Sequence, residues 1–183
     1  LVDHRRERRA HAVGLPLQEV EVVPMPVGGG FGGKFVLIEP LVAAVAKAVG
    51  RPVLLAFTRM EDFLSGNPAP DCRIETKLGA KKDGTITAHE AEIWGDGGAY
   101  ASLSSHVMLR ATTHAAGAYE VKNVKVDTFA MYTNNVPSGA FRGFGVTQSA
   151  FAMESQMDQL AEALTLTSGL RGLPIASPSG SAL

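Results

Sequence analysis

Residues 72–96 read CRIETKLGAKKDGTITAHEAEIWGD, with polar and apolar side chains alternating on both sides of Lys81-Lys82-Asp83-Gly84. A period of two turns one face of each run toward a core and the other toward water. A Lys-Asp-Gly turn between two such runs predicts an antiparallel hairpin. This hairpin decides the fold, because it stands where a nucleotide-binding α/β unit would continue with another helix and a parallel strand.

The segments around it complete the outline. Upstream, residues 3–14 suit a short basic helix closed by Gly14. Val20–Val27 reads as a strand running into the loop VGGGFGGKFVL (27–37), and Lys34–Val49 as an apolar helix capped by Gly50. Val53–Thr58 reads as a second, buried strand, and SGNPAP (65–70) as a loop. Downstream come glycine-rich GDGGAY (95–100), a helix over 106–116, a strand over 124–133, the loop NNVPSGAFRGFG (134–145) and an amphipathic helix over 148–164. Residues 165–183, rich in Ser, Gly, Pro and Leu, lack periodicity and read as a poorly ordered tail. No internal repeat is visible. The sum is an α/β (α+β) fold, with mixed sheet and hairpin elements and packed helices.

Composition narrows the function. The chain has 183 residues, 45% hydrophobic and 19% charged, with a formal net charge of −1, which suits a soluble domain with a sizeable core. Near-neutral charge gives no case for nucleic acid or an anionic membrane. The apolar run from Leu41 to Val49 is broken by Lys47 and is too short for a membrane span. The single cysteine, Cys72, rules out an internal disulfide and suits a reducing, cytoplasmic setting. The charged start has no apolar segment typical of a secretory signal, and the missing initiator Met suggests a piece of a longer chain.

The loop at 27–37 admits several readings. Gly28, Gly33 and Lys34 fit a triphosphate loop, but that loop needs a Ser or Thr next, to ligate Mg²⁺; Phe35 cannot. Gly28, Gly30 and Gly33 also fit a dinucleotide fingerprint, and strand, loop, helix and strand follow in order, with Arg59 placed to meet a 2′-phosphate. A third reading is a turn that merely permits close packing. A second loop, GAFRGFGVTQ (139–148), sets an arginine and a phenylalanine among glycines just before a helix. Glycines let a backbone approach a ligand closely, and a helix start offers free N–H donors. Two such loops suggest a large, oxygen-rich ligand between them.

The pair VGGGFGGK (27–34) and AFRGFGVTQ (140–148) resembles the two signature loops of the molybdenum hydroxylases, the family of xanthine dehydrogenases and aldehyde oxidases. RPVLLAFTRMEDF (51–63), LGAKKDGTITA (78–88), DGGAYASLS (96–104), YEVKNVKV (119–126) and FAMESQMDQLAEAL (151–164) are similar too. The likeness covers residues 4–164, making 1–164 part of a larger molybdopterin-binding domain and 165–183 an unrelated tail. It implies a molybdenum–molybdopterin cofactor, as such or as the cytosine dinucleotide. Iron–sulfur and FAD centres would lie on partner domains or subunits, alongside the rest of the molybdenum subunit. Members oxidise a carbon next to nitrogen, or an aldehyde carbon, with water as the oxygen source.

The resemblance also assigns roles. Gly29, Gly30, Phe31, Gly32 and Gly33 would hold the cofactor through backbone N–H groups, chiefly at Phe31 and Gly32. Arg142 lies beside the metal, and Phe144 is the ring against which a flat substrate packs; core packing accounts for Phe144 as well. Gln148 donates to the pterin or serves as a helix cap. Arg110, in HVMLRATTHAAGAY (106–119), matches the arginine that meets a substrate oxygen, although the residue alone also fits a solvated helix position. Phe35 stands where purine-oxidising members usually have a glutamate. This favours an oxo- or carboxyl-bearing N-heterocycle, or an aromatic aldehyde, over hypoxanthine.

Other residues carry less. The five histidines lack metal-ligand spacing, Glu90 and Glu92 share a strand face as exposed residues do, and Cys72 suits an apolar filler. Family subunits are several times longer, and their general-base glutamate lies in the later half. Neither loop here holds a base, and one cysteine cannot ligate a cluster. A catalytically silent remnant, or a partner-binding module keeping the fold, is therefore the competing expectation.

Overall fold

The computed structural model describes residue 7, residues 10–34 and residues 38–164. The chain divides into two compact units, Leu1–Asn67 and Pro68–Leu183. The 165–183 tail and the first residues of the basic helix lie outside the described residues, as does Phe35.

In the first unit, residues 10–13 are helical and Gly14 follows them, in line with the sequence. A 3₁₀ turn occupies Leu17–Glu19. Helix α1 spans Glu39–Val49, with a proline in its first turn and Gly50 as its left-handed cap (φ 66°), whose N–H bonds Ala46 O at 2.9 Å. It begins later than expected: Lys34 lies in a turn. Lys47 reaches from its last turn to the Val13 carbonyl.

The two strands expected here do not form. Residues 20–27 and 53–58 belong to no ladder. A strand exists only through a neighbour's hydrogen bonds; Pro24 and Pro26 remove two donors from the first segment. Nor is the second segment buried, with Leu54 93% exposed. Without these strands the first unit lacks the scaffold of a dinucleotide site. Helix α2, Arg59–Ser65, was not anticipated, although its signal is plain: Thr58 and Glu61 form a reciprocal capping box.

The second unit is built on the expected hairpin. Strand β1, Cys72–Ala80, pairs antiparallel with β2, Ile86–Gly98. Between them Gly84 N bonds Lys81 O at 3.0 Å, and the Asp83 carboxylate accepts from Thr85 N. Strand β3, Val124–Tyr132, joins β2 on its other side in parallel, so the sheet order is β1-β2-β3. Parallel pairing needs a crossover, and helix α3, Ser104–Thr113, supplies it. Helix α4, Val146–Ala163, completes the unit.

Alternation along β2 turns His89, Ala91, Ile93, Gly95 and Gly97 to the helix side. Ile93 packs there with Val107, Met108 and Ala111 of α3. A second cluster joins Ile86, Tyr119, Met153 and Met157. Gly95 is required by this packing, because a Cβ there would sit 2.2 Å from the Met108 sulfur.

Candidate cofactor-binding loops

Both glycine loops contain Gly-Phe-Gly, and both fold it alike. In the first unit Gly33 N bonds Gly30 O at 2.9 Å, with Phe31 at φ 49° and Gly32 at φ 98°. In the second, Val146 N bonds Gly143 O at 3.1 Å, with Phe144 at φ 51° and Gly145 at φ 97°. Positive φ at both central residues is the mark of a type I′ turn. Glycine takes this conformation freely; phenylalanine is strained by it, by about 1–2 kcal/mol. Such strain persists where surroundings or a ligand over-determine it.

The first turn presents bare backbone. A Cβ at Gly28 would meet nothing within 4 Å, and at Gly30 or Gly33 nothing nearer than 3.8 Å. Gly29 is different, since a Cβ there would strike the Phe31 ring at 2.7 Å. Phe31 is 64% exposed, and Lys34 Nζ donates to Gly29 O. This cradle of side-chain-free amides suits an oxygen-rich anionic group.

The second turn is seated on α3. A Cβ at Gly145 would lie 2.1 Å from Val107 O and 3.0 Å from Ala111 N, so the turn touches the helix that carries Arg110. Phe144 is half-buried against the Ile93–Val107–Met108–Ala111 cluster, while Arg110 and Arg142 are exposed. Gln148 Nε2 donates to Pro70 O at 3.3 Å, and Gly139 N to Pro68 O at 3.0 Å, which fastens both ends of the loop. Gln148 thus does not cap its own helix, and one of its two amide N–H groups is used on Pro70.

Asp96, to which the sequence motifs assign no role, anchors the approach to this loop. Its carboxylate accepts from Thr133 Oγ1 (2.6 Å), Asn135 Nδ2 and Gly98 N (2.9 Å). Ser138 Oγ donates to its carbonyl. The hydrogen bond from Thr133, then those from Asn135 and Gly98, hold its carboxyl below the usual range. An aspartate followed by two glycines was the available signal. Elsewhere, burial and the Glu154 carboxylate (2.7 Å) push the Tyr119 hydroxyl up to about 12. Burial, and then Asp71, push the Cys72 thiol up to about 11, so it is a poor nucleophile.

Among the described residues no three His, Cys, Asp or Glu converge on a metal position, and no helix is long and apolar enough to cross a membrane.

Comparison with known proteins agrees with this geometry. A family profile, the molybdopterin cofactor-binding domain, matches residues 2–168. The nicotinate dehydrogenase large molybdopterin subunit of Eubacterium barkeri is 42% identical over 85% of this chain and 37% of its own length. A probable xanthine dehydrogenase subunit from Bacillus subtilis is 39% identical over 85% of this chain and 21% of its own. The chain therefore spans well under half of either relative. Aldehyde oxidoreductase from Desulfovibrio gigas superposes with a TM-score of 0.78 at 33% identity, over 91% of this chain and 19% of that one. With most of its length matched, the chain belongs to the molybdopterin cofactor-binding domain family of molybdenum hydroxylases.

Proposed function

We propose that this chain supplies two cofactor-binding turns of a molybdenum hydroxylase that oxidises N-heterocycles or aldehydes. The repeated Gly-Phe-Gly turn supports this most directly, since each is a strained glycine turn whose bare backbone suits close approach of an oxygen-rich ligand. When bound, molybdopterin supplies the two-electron oxidation, with oxygen drawn from water. The chain's own residues bind and orient. The N–H groups of Phe31 and Gly32 would donate to cofactor oxygens; Gly30 and Gly33 would keep that approach clear, and Gly29 would contribute backbone beneath the Phe31 ring. Arg142 places a cation beside the cofactor. Gln148 serves by holding its loop to Pro70.

Phe144 would orient a flat substrate and Arg110 would meet one of its oxygens, while the residue type at Phe35 bears on which rings are accepted. With no acceptor at Phe35, a purine ring nitrogen is left unpaired, a loss of about 1–3 kcal/mol. An oxo- or carboxyl-bearing N-heterocycle or an aromatic aldehyde is the preferred class. The name of the nicotinate dehydrogenase relative supports it, nicotinate being a carboxyl-bearing N-heterocycle. The rest of the subunit, with its general base, and iron–sulfur and flavin partners complete the enzyme.

The test is metal content of the chain co-expressed with the remainder of its enzyme. Stoichiometric molybdenum is expected, with at least a tenfold loss in Gly32→Val, whose fold is checked by circular dichroism. A folded wild-type protein without molybdenum sinks the proposal in favour of a module that keeps the fold without the chemistry. In the loaded enzyme, kcat/KM for hypoxanthine should fall one to two orders of magnitude below that for nicotinate-class substrates.

A further inference from the structure

Helices α3 and α4 pack on one face of the sheet; the other face carries cross-strand rows of charged and aromatic side chains. From the register, one row is Lys77–Glu90–Lys125, the next Glu75–Glu92–Asp127 and the third Arg73–Trp94–Phe129. The third row is a continuous platform. The Trp94 and Phe129 rings stack at 6.0 Å with 17° between planes, and the Arg73 guanidinium lies 5.5 Å over Trp94. Phe129 is 45% exposed, and Met131, beside it on the same face, 50%.

The middle row is stranger. Three carboxylates stand directly opposite one another, an arrangement that destabilises a ladder. Its outer members are compensated: Arg73 pairs with Glu75, and Lys125 with Asp127 at 3.1 Å. Lys77 and Lys125 both pair with Glu90, at 3.4 and 3.1 Å. Glu92, at the centre, has no cation among the described residues.

We infer that this face docks a protein partner presenting a basic side chain next to an apolar one. The cation would complete the Glu75–Glu92–Asp127 row, and the apolar group would cover the Trp94–Phe129 platform one row away. The charge pattern selects this occupant. Nucleic acid and anionic membranes would meet the acidic row with like charge. A second copy docked through the same face brings the same acidic row, and the cations of that face, Arg73, Lys77 and Lys125, are already paired. The inference is independent of the cofactor, which the glycine turns would hold.

Trp94 is the only tryptophan, so its emission reads the platform directly. The probe is the blocked peptide Ac-Val-Arg-Leu-Lys-Ile-NH2, titrated at low salt into the whole chain. A saturable change in Trp94 emission is expected, weakening as salt rises. Its counterpart with Glu in place of Arg and Lys should give none. Glu92→Lys should raise the apparent Kd at least tenfold. Should that variant fold poorly, Met131→Glu, at an exposed position, should weaken binding instead. No response to the basic peptide, an equal response to the acidic one, or unchanged binding in both variants would overturn the inference. So would a dimer in sedimentation that Glu92→Lys dissolves, which would assign the face to a second copy.

Discussion

The two Gly-Phe-Gly turns share backbone and differ in everything around it. Phe31 is 64% exposed, its ring folded over Gly29, whereas Phe144 lies against a buried cluster. Around the first turn a Cβ would meet open space at Gly28 and only ordinary contacts at Gly30 and Gly33; around the second, Gly145 is pressed onto the backbone of α3. The same local motif is thus a free cradle in one place and a packed joint in the other. The backbone geometry is shared, and the difference belongs to the packing around each turn. Packing requires the glycine at Gly145 and does not require those at Gly28, Gly30 and Gly33.

Glycine substitution should split the pair most sharply. Gly145→Ala forces a Cβ to 2.1 Å from Val107 O at a φ of 97°, which no side-chain motion can relieve because the obstacle is main chain. Stability should fall by about 3 kcal/mol or more. Gly30→Ala, with its nearest atom at 3.8 Å, should cost roughly 0.5 kcal/mol or less while still obstructing cofactor approach. Urea unfolding followed by calorimetry and Trp94 emission checks both. Equal losses at the two sites would dissolve the distinction between cradle and joint.

Truncating the phenylalanines tests the same contrast at lower amplitude. Phe144→Ala removes a ring from the Ile93–Val107–Met108–Ala111 cluster and should cost about 2 kcal/mol, below the range for full burial because Phe144 is only half-buried. Phe31→Ala removes an exposed ring and should cost a few tenths of a kcal/mol. A comparable loss at Phe31 would mean that its ring supports the fold, and the role of the first turn as a ligand cradle would weaken.

The elements legible in the sequence were those whose reasons are local. The hairpin follows from alternation around Lys81–Gly84, α4 from its helical periodicity, and the end of α1 from Gly50. No strand forms at 20–27 or 53–58 because an apolar stretch says what a strand would bury, not which neighbour would pair with it. The parallel seat of β3 beside β2 is likewise set by tertiary packing through α3. The capping box at Thr58–Glu61 is a local signal of the same kind and marks the start of α2. At the site, the glycine loops and Arg142 stood out as motifs. The strain could not be read, since phenylalanine at positive φ runs against its own preference. Gln148 was ambiguous for a related reason: its partner, Pro70 O, is distant in sequence.

A further expected effect is acid sensitivity in the packed region, read as a difference in slope. His89 is 2% exposed on the same face of β2 as Ile93, and neither ring nitrogen has a hydrogen-bond partner. Burial therefore lowers its pKa from the ordinary 6.5, favouring the neutral ring in the folded state. Below pH 6.5 the unfolded chain takes up a proton that the folded chain resists. Stability from this group is thus fully present above pH 6.5 and is lost as pH falls toward the folded pKa, at no more than about 1.4 kcal/mol per pH unit. His89→Leu removes the proton site and two unsatisfied nitrogens, so its stability between pH 7 and 5 should fall less steeply than that of the wild type. Trp94 emission reports the transition in this unit. Parallel pH profiles for the two proteins would show that acid acts through other groups, and would leave the packed joint no more acid-sensitive than the open cradle.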